Sequence, residues 1–177
     1  FHDSGGINTA PYDTLIKAAP DLATLLALAP GPGDTIYTTG QINITGAGLA
    51  LASSGDGTAR VNLIAIDAGG TPNAAQASFI GQVGSLPTQI LNLGLFDYWN
   101  FENITFDGSV SRNLLFTNAS RYHTFKDCIV ENGSADGWES ASNDYINCTI
   151  QRCIVRNNGA TGMRDPGGNN VISLCAF

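Results

Sequence analysis

Four stretches in the second half of the chain share one alternation of apolar and polar positions and align without gaps. They are Phe101-Glu-Asn-Ile-Thr-Phe-Asp-Gly, Phe125-Lys-Asp-Cys-Ile-Val-Glu-Asn, Ile150-Gln-Arg-Cys-Ile-Val-Arg-Asn and Ile172-Ser-Leu-Cys-Ala-Phe177. Their spacings are 24, 25 and 22 residues. Alternation around branched or aromatic centres favours strands over helices. Between the stretches lie Asn132-Gly133-Ser134 and Asn157-Asn158-Gly159, residues that turn readily. Self-similarity at such a period predicts a solenoid. Strand, corner, strand and return make one coil of a parallel β-solenoid, with coils stacked about 4.8 Å apart.

Stacking predicts which residues lie over one another. Phe101, Phe125, Ile150 and Ile172 form one apolar column. Ile104, Cys128, Cys153 and Cys175 form a second, and Phe106, Val130, Val155 and Phe177 a third. In the same register Glu102 faces Lys126, Asp127 faces Arg152, and Glu131 faces Arg156. Exposed pairs of this kind contribute only about 0–1 kcal/mol each, so they tune register while the apolar columns supply most of the stability.

The first half is less regular. Residues 1–10 read as a loop or a single strand edge. Tyr12 to Ala29 predicts a helix, with a break at Pro20, plausible N-caps at Asp13 and Asp21, and an apolar face of Leu15, Leu22, Leu25, Leu26 and Leu28. Such a helix would cap the open hydrophobic end of a solenoid. After the turn Pro30-Gly-Pro-Gly-Asp34, strands are expected at 35–39, 41–45 and 61–67. Loops are expected at 53–57 and 69–77, and Phe79-Ile80 and Ile90 to Leu95 should open the regular coils. Residues 11–177 then form a single domain.

Composition agrees with this picture. Of 177 residues, 43% are hydrophobic and only 13% charged, with 21 Gly, which suits corners of small polar residues and not a disordered chain. A net charge of −7 argues against nucleic acid and anionic membrane as partners. No apolar run is long enough to span a bilayer. Cys128, Cys153 and Cys175 share a column and Cys148 lies at no zinc-like spacing, so buried thiols are expected and no metal. Sequons occur at Asn43, Asn103, Asn118, Asn132 and Asn147; the simplest reading places Asn at corners and Thr or Ser in strands.

The run Leu25-Leu-Ala-Leu-Ala-Pro-Gly-Pro-Gly-Asp-Thr-Ile-Tyr37, followed by Leu51-Ala-Ser-Ser-Gly55 and Val61-Asn-Leu-Ile-Ala-Ile66, resembles the N-terminal cap and first coil of right-handed parallel β-helix proteins. It looks most like the chondroitinase B-like branch of the pectate-lyase-like superfamily. The resemblance implies an all-β, right-handed parallel β-helix with an N-terminal cap helix. The fold hosts lyases, hydrolases, tailspikes, adhesins and fibre components, so function must be argued from a site.

Lyases of that group need a basic residue and often calcium held by carboxylates. Here Lys17 falls on the cap helix and Lys126 is expected to pair with Glu102; Arg112, Arg121 and Arg164 are loop candidates. The polygalacturonase-like series Asn-Thr-Asp, Asp-Asp, Gly-His-Gly and Arg-Ile-Lys does not occur, and the roughly six or seven coils that fit a ~25-residue repeat are few for an enzyme of this fold. No catalytic residue and no cofactor are therefore assigned. Trp138, Asp136, Glu139, Arg164 and Asp165 are placed on loops, where they could line a carbohydrate-binding groove. Against this, Trp138 could pack on a corner with the charges solvated. His123 aligns with Cys148 and is assigned to a packed column.

The final stretch stops at Ile172-Ser-Leu-Cys-Ala-Phe177, whereas earlier coils continue with polar turn residues. The opening Phe1-His-Asp-Ser-Gly-Gly would supply that continuation. Phe1, His2 and Asp3 are thus expected to complete a coil over Ile172, Leu174, Cys175 and Phe177 of a neighbouring copy, building a head-to-tail polymer. A unit of a longer tandem chain, since the sequence opens on Phe1, satisfies the same pattern. The expected function is a non-enzymatic structural or adhesive subunit, extracellular or on a virion or cell surface. A polysaccharide lyase or hydrolase, or a fragment of one, is the alternative, and a carbohydrate-binding module the next.

Overall fold

The computed structural model describes residues 22–67, 71, 77–81, 86–116, 120–140, 147–164 and 168–176. It is a right-handed parallel β-helix preceded by a short helix. α1 (Leu22–Ala27) buries Leu22, Leu25 and Leu26 and lies against the first coil. Its last turn is closed by Leu28 N–H to Leu25 O and Ala29 N–H to Leu26 O, and Ala29 adopts a left-handed φ of 52° that ends it before the Pro-Gly run. The expected helical residues 12–21, with the Asp13 and Asp21 caps, Leu15 and Lys17, lie outside the described residues, as do residues 1–10.

Three strands make each coil. The first holds β1 (Thr35–Thr38), β2 (Gly40–Ile44) and β3 (Leu49–Ala50). The second holds β4 (Val61–Ala65), β5 (Ala77–Gly81) and β6 (Gln89–Gly94), and the third β7 (Trp99–Glu102), β8 (Ile104–Ser109) and β9 (Arg112–Phe116). The fourth holds β10 (Thr124–Lys126), β11 (Ile129–Gly133) and β12 (Trp138–Ser140), and the fifth β13 (Thr149–Gln151), β14 (Ile154–Arg156) and β15 (Met163–Arg164). β16 (Val171–Ser173) opens a sixth, where Ala176 bridges to Ile154. All pairings are parallel, and three sheets result: β1-β4-β7-β10-β13-β16, β2-β5-β8-β11-β14 and β3-β6-β9-β12-β15.

The core consists of columns that run along the solenoid axis. In the first sheet Ile36, Leu63, Phe101, Phe125, Ile150 and Ile172 are successive partners, which extends the expected column back by two coils. In the second sheet the succession is Ile42, Phe79, Phe106, Val130 and Val155. A third column, Leu49, Leu91, Leu114, Trp138 and Met163, was not foreseen. The regular coils thus begin at Thr35 rather than near Phe79. Phe101 and Phe125 stack with ring centroids 4.7 Å apart at 16°, while Phe79 and Phe106 meet edge to face at 5.5 Å. Offset-stacked and edge-on contacts both suit the ring quadrupole.

Each eight-residue repeat is two strands, not one. A single left-handed residue turns the chain from the first sheet into the second: Asn103 (φ 62°), Asp127 (55°), Arg152 (51°) and Leu174 (54°) occupy that corner in successive coils. Gly108, Asn132 and Asn157 mark the far end of the second sheet with φ of 74°, 59° and 54°. Tyr98, Tyr122 and Asn147 mark the start of the first with 59°, 60° and 55°. Asn tolerates this conformation, whereas Arg, Leu and Tyr incur about 1–2 kcal/mol. The coil geometry imposes it at those positions. The Asn103, Asn132 and Asn147 sequons are therefore corner residues; Asn118 lies outside the described residues.

Three substitutions should separate close packing from corner conformation. A Cβ on Gly81 would lie 1.8 Å from the Gly108 carbonyl oxygen, whereas one on Gly40 would meet nothing within 4 Å. Gly81→Ala should prevent folding or cost several times what Gly40→Ala does, the latter losing about 1–2 kcal/mol through its left-handed φ. Phe101→Ala should cost about 3–5 kcal/mol. Urea unfolding followed by circular dichroism reads all three.

Candidate functional site

Trp138 lies on strand β12, not on a loop, and points into the core. It is 1% exposed, and its ring meets Phe125 edge-on at 4.4 Å. No face of the indole is presented to a sugar, which corrects the expectation of an aromatic platform. Asp136 is also buried. Its Oδ1 accepts the Thr161 N–H at 3.1 Å and its carbonyl accepts the Asn113 N–H, so it joins coils three to five at a corner. Asp165 lies outside the described residues.

Glu139 is the outward neighbour of Trp138 and does not stand alone. Its Oε2 lies 2.6 Å from Arg112 Nε and its Oε1 lies 3.5 Å from Arg164 Nη1. Arg112 opens β9 and Arg164 closes β15, so a carboxylate of the fourth coil is flanked by guanidinium groups of the third and fifth. This rail on the outer face of the third sheet has one positive charge in excess. Arg164 is exposed, while the Glu139 side chain keeps 13% of its surface in solvent. The arrangement can attract an anion. As an acid–base pair it is poorly built, because both carboxylate oxygens are already engaged.

The three ion pairs expected from the repeat are present. Lys126 Nζ bonds Glu102 Oε1; Arg152 grips both oxygens of Asp127 at 2.7 Å; and Arg156 Nε lies 2.7 Å from Glu131 Oε2. The hydrogen bonds from Arg152 hold the Asp127 carboxyl below its ordinary range. All three pairs link adjacent coils.

One polar cluster could not be read from the sequence. His123 is fully buried, and its Nε2 lies 2.6 Å from Ser120 Oγ. Its Nδ1 accepts the Trp99 backbone N–H at 3.3 Å, which places the ring hydrogen on Nε2. Ser120 Oγ donates in turn to Phe96 O at 2.9 Å. Hydrogens therefore run from imidazole to hydroxyl to carbonyl, the reverse of a nucleophile activated by a base. Burial first, and then the Arg60 charge, push the His123 pKa down to about 3. The backbone N–H of His123 donates to Cys148 Sγ at 3.3 Å, as the shared column implied, and burial pushes the Cys148 thiol up to about 12. Neither group is poised for chemistry at neutral pH. Ser120 carries no sequence signal, since only the corner brings it to His123.

In the cysteine column each sulfur donates to a carbonyl of its own coil and one of the coil before. Cys128 reaches Lys126 O and Phe101 O, Cys153 reaches Gln151 O and Phe125 O, and Cys175 reaches Ser173 O and Ile150 O. Among the described residues no group of three or more His, Cys, Asp and Glu side chains could hold a metal ion. A cavity of about 260 Å³ lies between α1 and β1, lined by Leu25, Leu28, Pro30, Asp34 and Ile36 among others, none of them a residue of the charged rail. Of the expected assembly residues, Ile172, Leu174 and Cys175 come together on the sixth coil, the first two exposed and Cys175 half-buried. Phe1, His2, Asp3 and Phe177 lie outside the described residues.

No family model matches the chain, and no curated protein matches it significantly. A solved structure, that of pectate lyase Pel9A, superimposes with a TM-score of 0.74 at 18% identity over 95% of this chain. The chain spans 44% of that protein's length. A likeness at that identity carries the parallel β-helix fold and no statement about chemistry.

Glu139→Gln should leave Arg112 and Arg164 facing each other across a neutral amide. Stability at low ionic strength should fall by about 1 kcal/mol, and most of that loss should vanish in 1 M salt as the repulsion is screened. Paired urea titrations at the two ionic strengths check it.

Proposed function

We propose that this chain is a structural β-helix unit that stacks end to end with copies of itself at an extracellular or particle surface. The observation that carries this is the apolar edge of the sixth coil. Ile172 continues the buried first-sheet column yet is 41% exposed, and Leu174 is 80% exposed. Leu174 occupies the corner that earlier coils fill with Asn103, Asp127 and Arg152. A large apolar side chain in that place suits a neighbour that packs against it, and the outer edge of a parallel strand offers backbone groups for pairing. Pairing of the surface charges between coils also suits a stacking unit. The occupant to which the proposal commits is the first-coil end of a second copy, with Phe1, His2 and Asp3 in contact with Ile172, Leu174 and Cys175.

A second reading is favoured by one observation, the excess guanidinium charge of the Arg112–Glu139–Arg164 rail. That rail would suit a carboxylate-bearing polysaccharide, and pectate is the substrate in the printed name of the structural neighbour.

Light scattering across a concentration series, with electron microscopy of the same samples, tests the first reading. Mass should rise with concentration and filaments one β-helix wide should form, while Leu174→Lys should remain monomeric and folded. A strict monomer at every concentration overturns self-stacking and leaves further coils of a longer chain as the cover of that edge. Binding of polygalacturonate that is lost in Arg164→Ala would support the second reading.

A further inference from the structure

The corner around His123 has no part in either reading above, yet it pins three coils at one point. The imidazole accepts the Trp99 N–H of the third coil and donates to Ser120 in its own coil, and the His123 backbone N–H donates to Cys148 of the fifth. Around it the corners of the third and fourth coils are tied by Tyr98 N–H to Arg121 O at 3.1 Å, Arg121 N–H to Asp97 Oδ1 at 2.6 Å and Ser120 Oγ to Phe96 O. The Tyr98 and Tyr122 rings stack at 4.7 Å, only 5° from parallel. The Phe101 and Phe125 rings flank the imidazole at 6.2 and 6.4 Å.

Among the described residues the charged and titratable surroundings are one-sided. Arg60, from the loop before β4, bonds the Tyr122 and Trp99 carbonyls and lies 6.0 Å from the centre of the Tyr98 ring. Cys148, whose thiol burial pushes up, accepts the His123 backbone N–H, and the Tyr98 and Tyr122 rings stack at the same corner. Asp97 is engaged by Arg121 on the outer side. A second proton on the imidazole must go to Nδ1. There it would displace the Trp99 N–H and put a cation in a fully buried site already beside a guanidinium.

We infer that this corner is an acid-operated latch: as pH falls, the segments Phe96–Trp99 and Ser120–His123 part so that His123 can take up a proton, while the sheets above and below stay stacked.

The depressed His123 pKa of about 3 agrees with that geometry. An opened corner would titrate near the ordinary imidazole value of about 6.5. Because the closed-state value is the lower one, the closed corner keeps its full stability above about 6.5 and loses it as pH falls from there towards about 3. One-proton linkage makes the open population grow about tenfold per pH unit inside that window.

Amide hydrogen exchange, corrected for intrinsic rates, tests this on the whole chain. Protection at Tyr98, Trp99 and His123 should fall about tenfold per pH unit between pH 6 and 4, with Phe125 and Ile150 unchanged. In His123→Gln, which offers an acceptor but no titrating ring, the corner amides should show a flat profile. A uniform loss at all these amides, an unchanging Trp99, or a slope that survives in His123→Gln would overturn the latch. If that variant does not fold, nitrogen NMR of the wild-type imidazole decides. An unprotonated Nδ1 down to pH 4 in the closed form is expected, and ordinary titration near 6.5 with protection intact would overturn the proposal.

Discussion

In-register parallel stacking is the constraint on which everything else depends. A coil placed about 4.8 Å above another sets each inward residue over its equivalent, so no position is chosen independently. The column from Ile36 to Ile172 shows the result: branched aliphatic residues at both ends and aromatic rings in the middle. Where rings meet rings, as at Phe101 and Phe125, the ladder forces near-parallel stacking at close to the coil repeat. Where sheets face each other across the interior, as at Phe125 and Trp138, edge-on contact fills the space. The hydrophobic effect drives the burial, and the ladder decides which side chains share it.

Corners are where this constraint meets backbone sterics. One left-handed residue at the corner between the first and second sheets keeps the third to sixth coils in register, and it recurs whether the side chain is Asn, Asp, Arg or Leu. A straight strand would place inward residues two apart. Here they fall at Phe101, Ile104 and Phe106, and at Phe125, Cys128 and Val130, with a step of three across the corner. That step is the corner, written into the hydrophobic pattern.

Much of the fold was legible for that reason. Three columns and three ion pairs follow from the register alone, and a register is a property of sequence. The first two coils were not legible from the repeat, because Gly- and Ala-rich connections separate their strands and no repeat spans them; only the family resemblance pointed to a first coil there. Trp138 was misplaced because Asp, Gly and Glu surround it, and polar neighbours in sequence do not reveal that a two-residue alternation turns one indole inward. The Arg112–Glu139–Arg164 rail joins residues of different coils whose offsets depend on corner lengths, and the Ser120–His123 contact depends on how one corner folds. Local pattern carries no record of those offsets.

The charges also make the coils unequal. Arg152, Arg156 and Arg164 all belong to the fifth coil, and all reach back to carboxylates of the fourth: Asp127, Glu131 and Glu139. Between the second and third coils the first and second sheets meet through apolar partners such as Leu63 with Phe101 and Phe79 with Phe106. A solenoid lengthens in evolution when a coil is duplicated in place. An apolar column accepts a copy of either neighbour, because like packs on like. A joint of anion under cation does not, because a duplicated fourth coil would set acid on acid and a duplicated fifth would set base on base. Copying the fourth and fifth coils together, by contrast, would keep each of these three acids against a base.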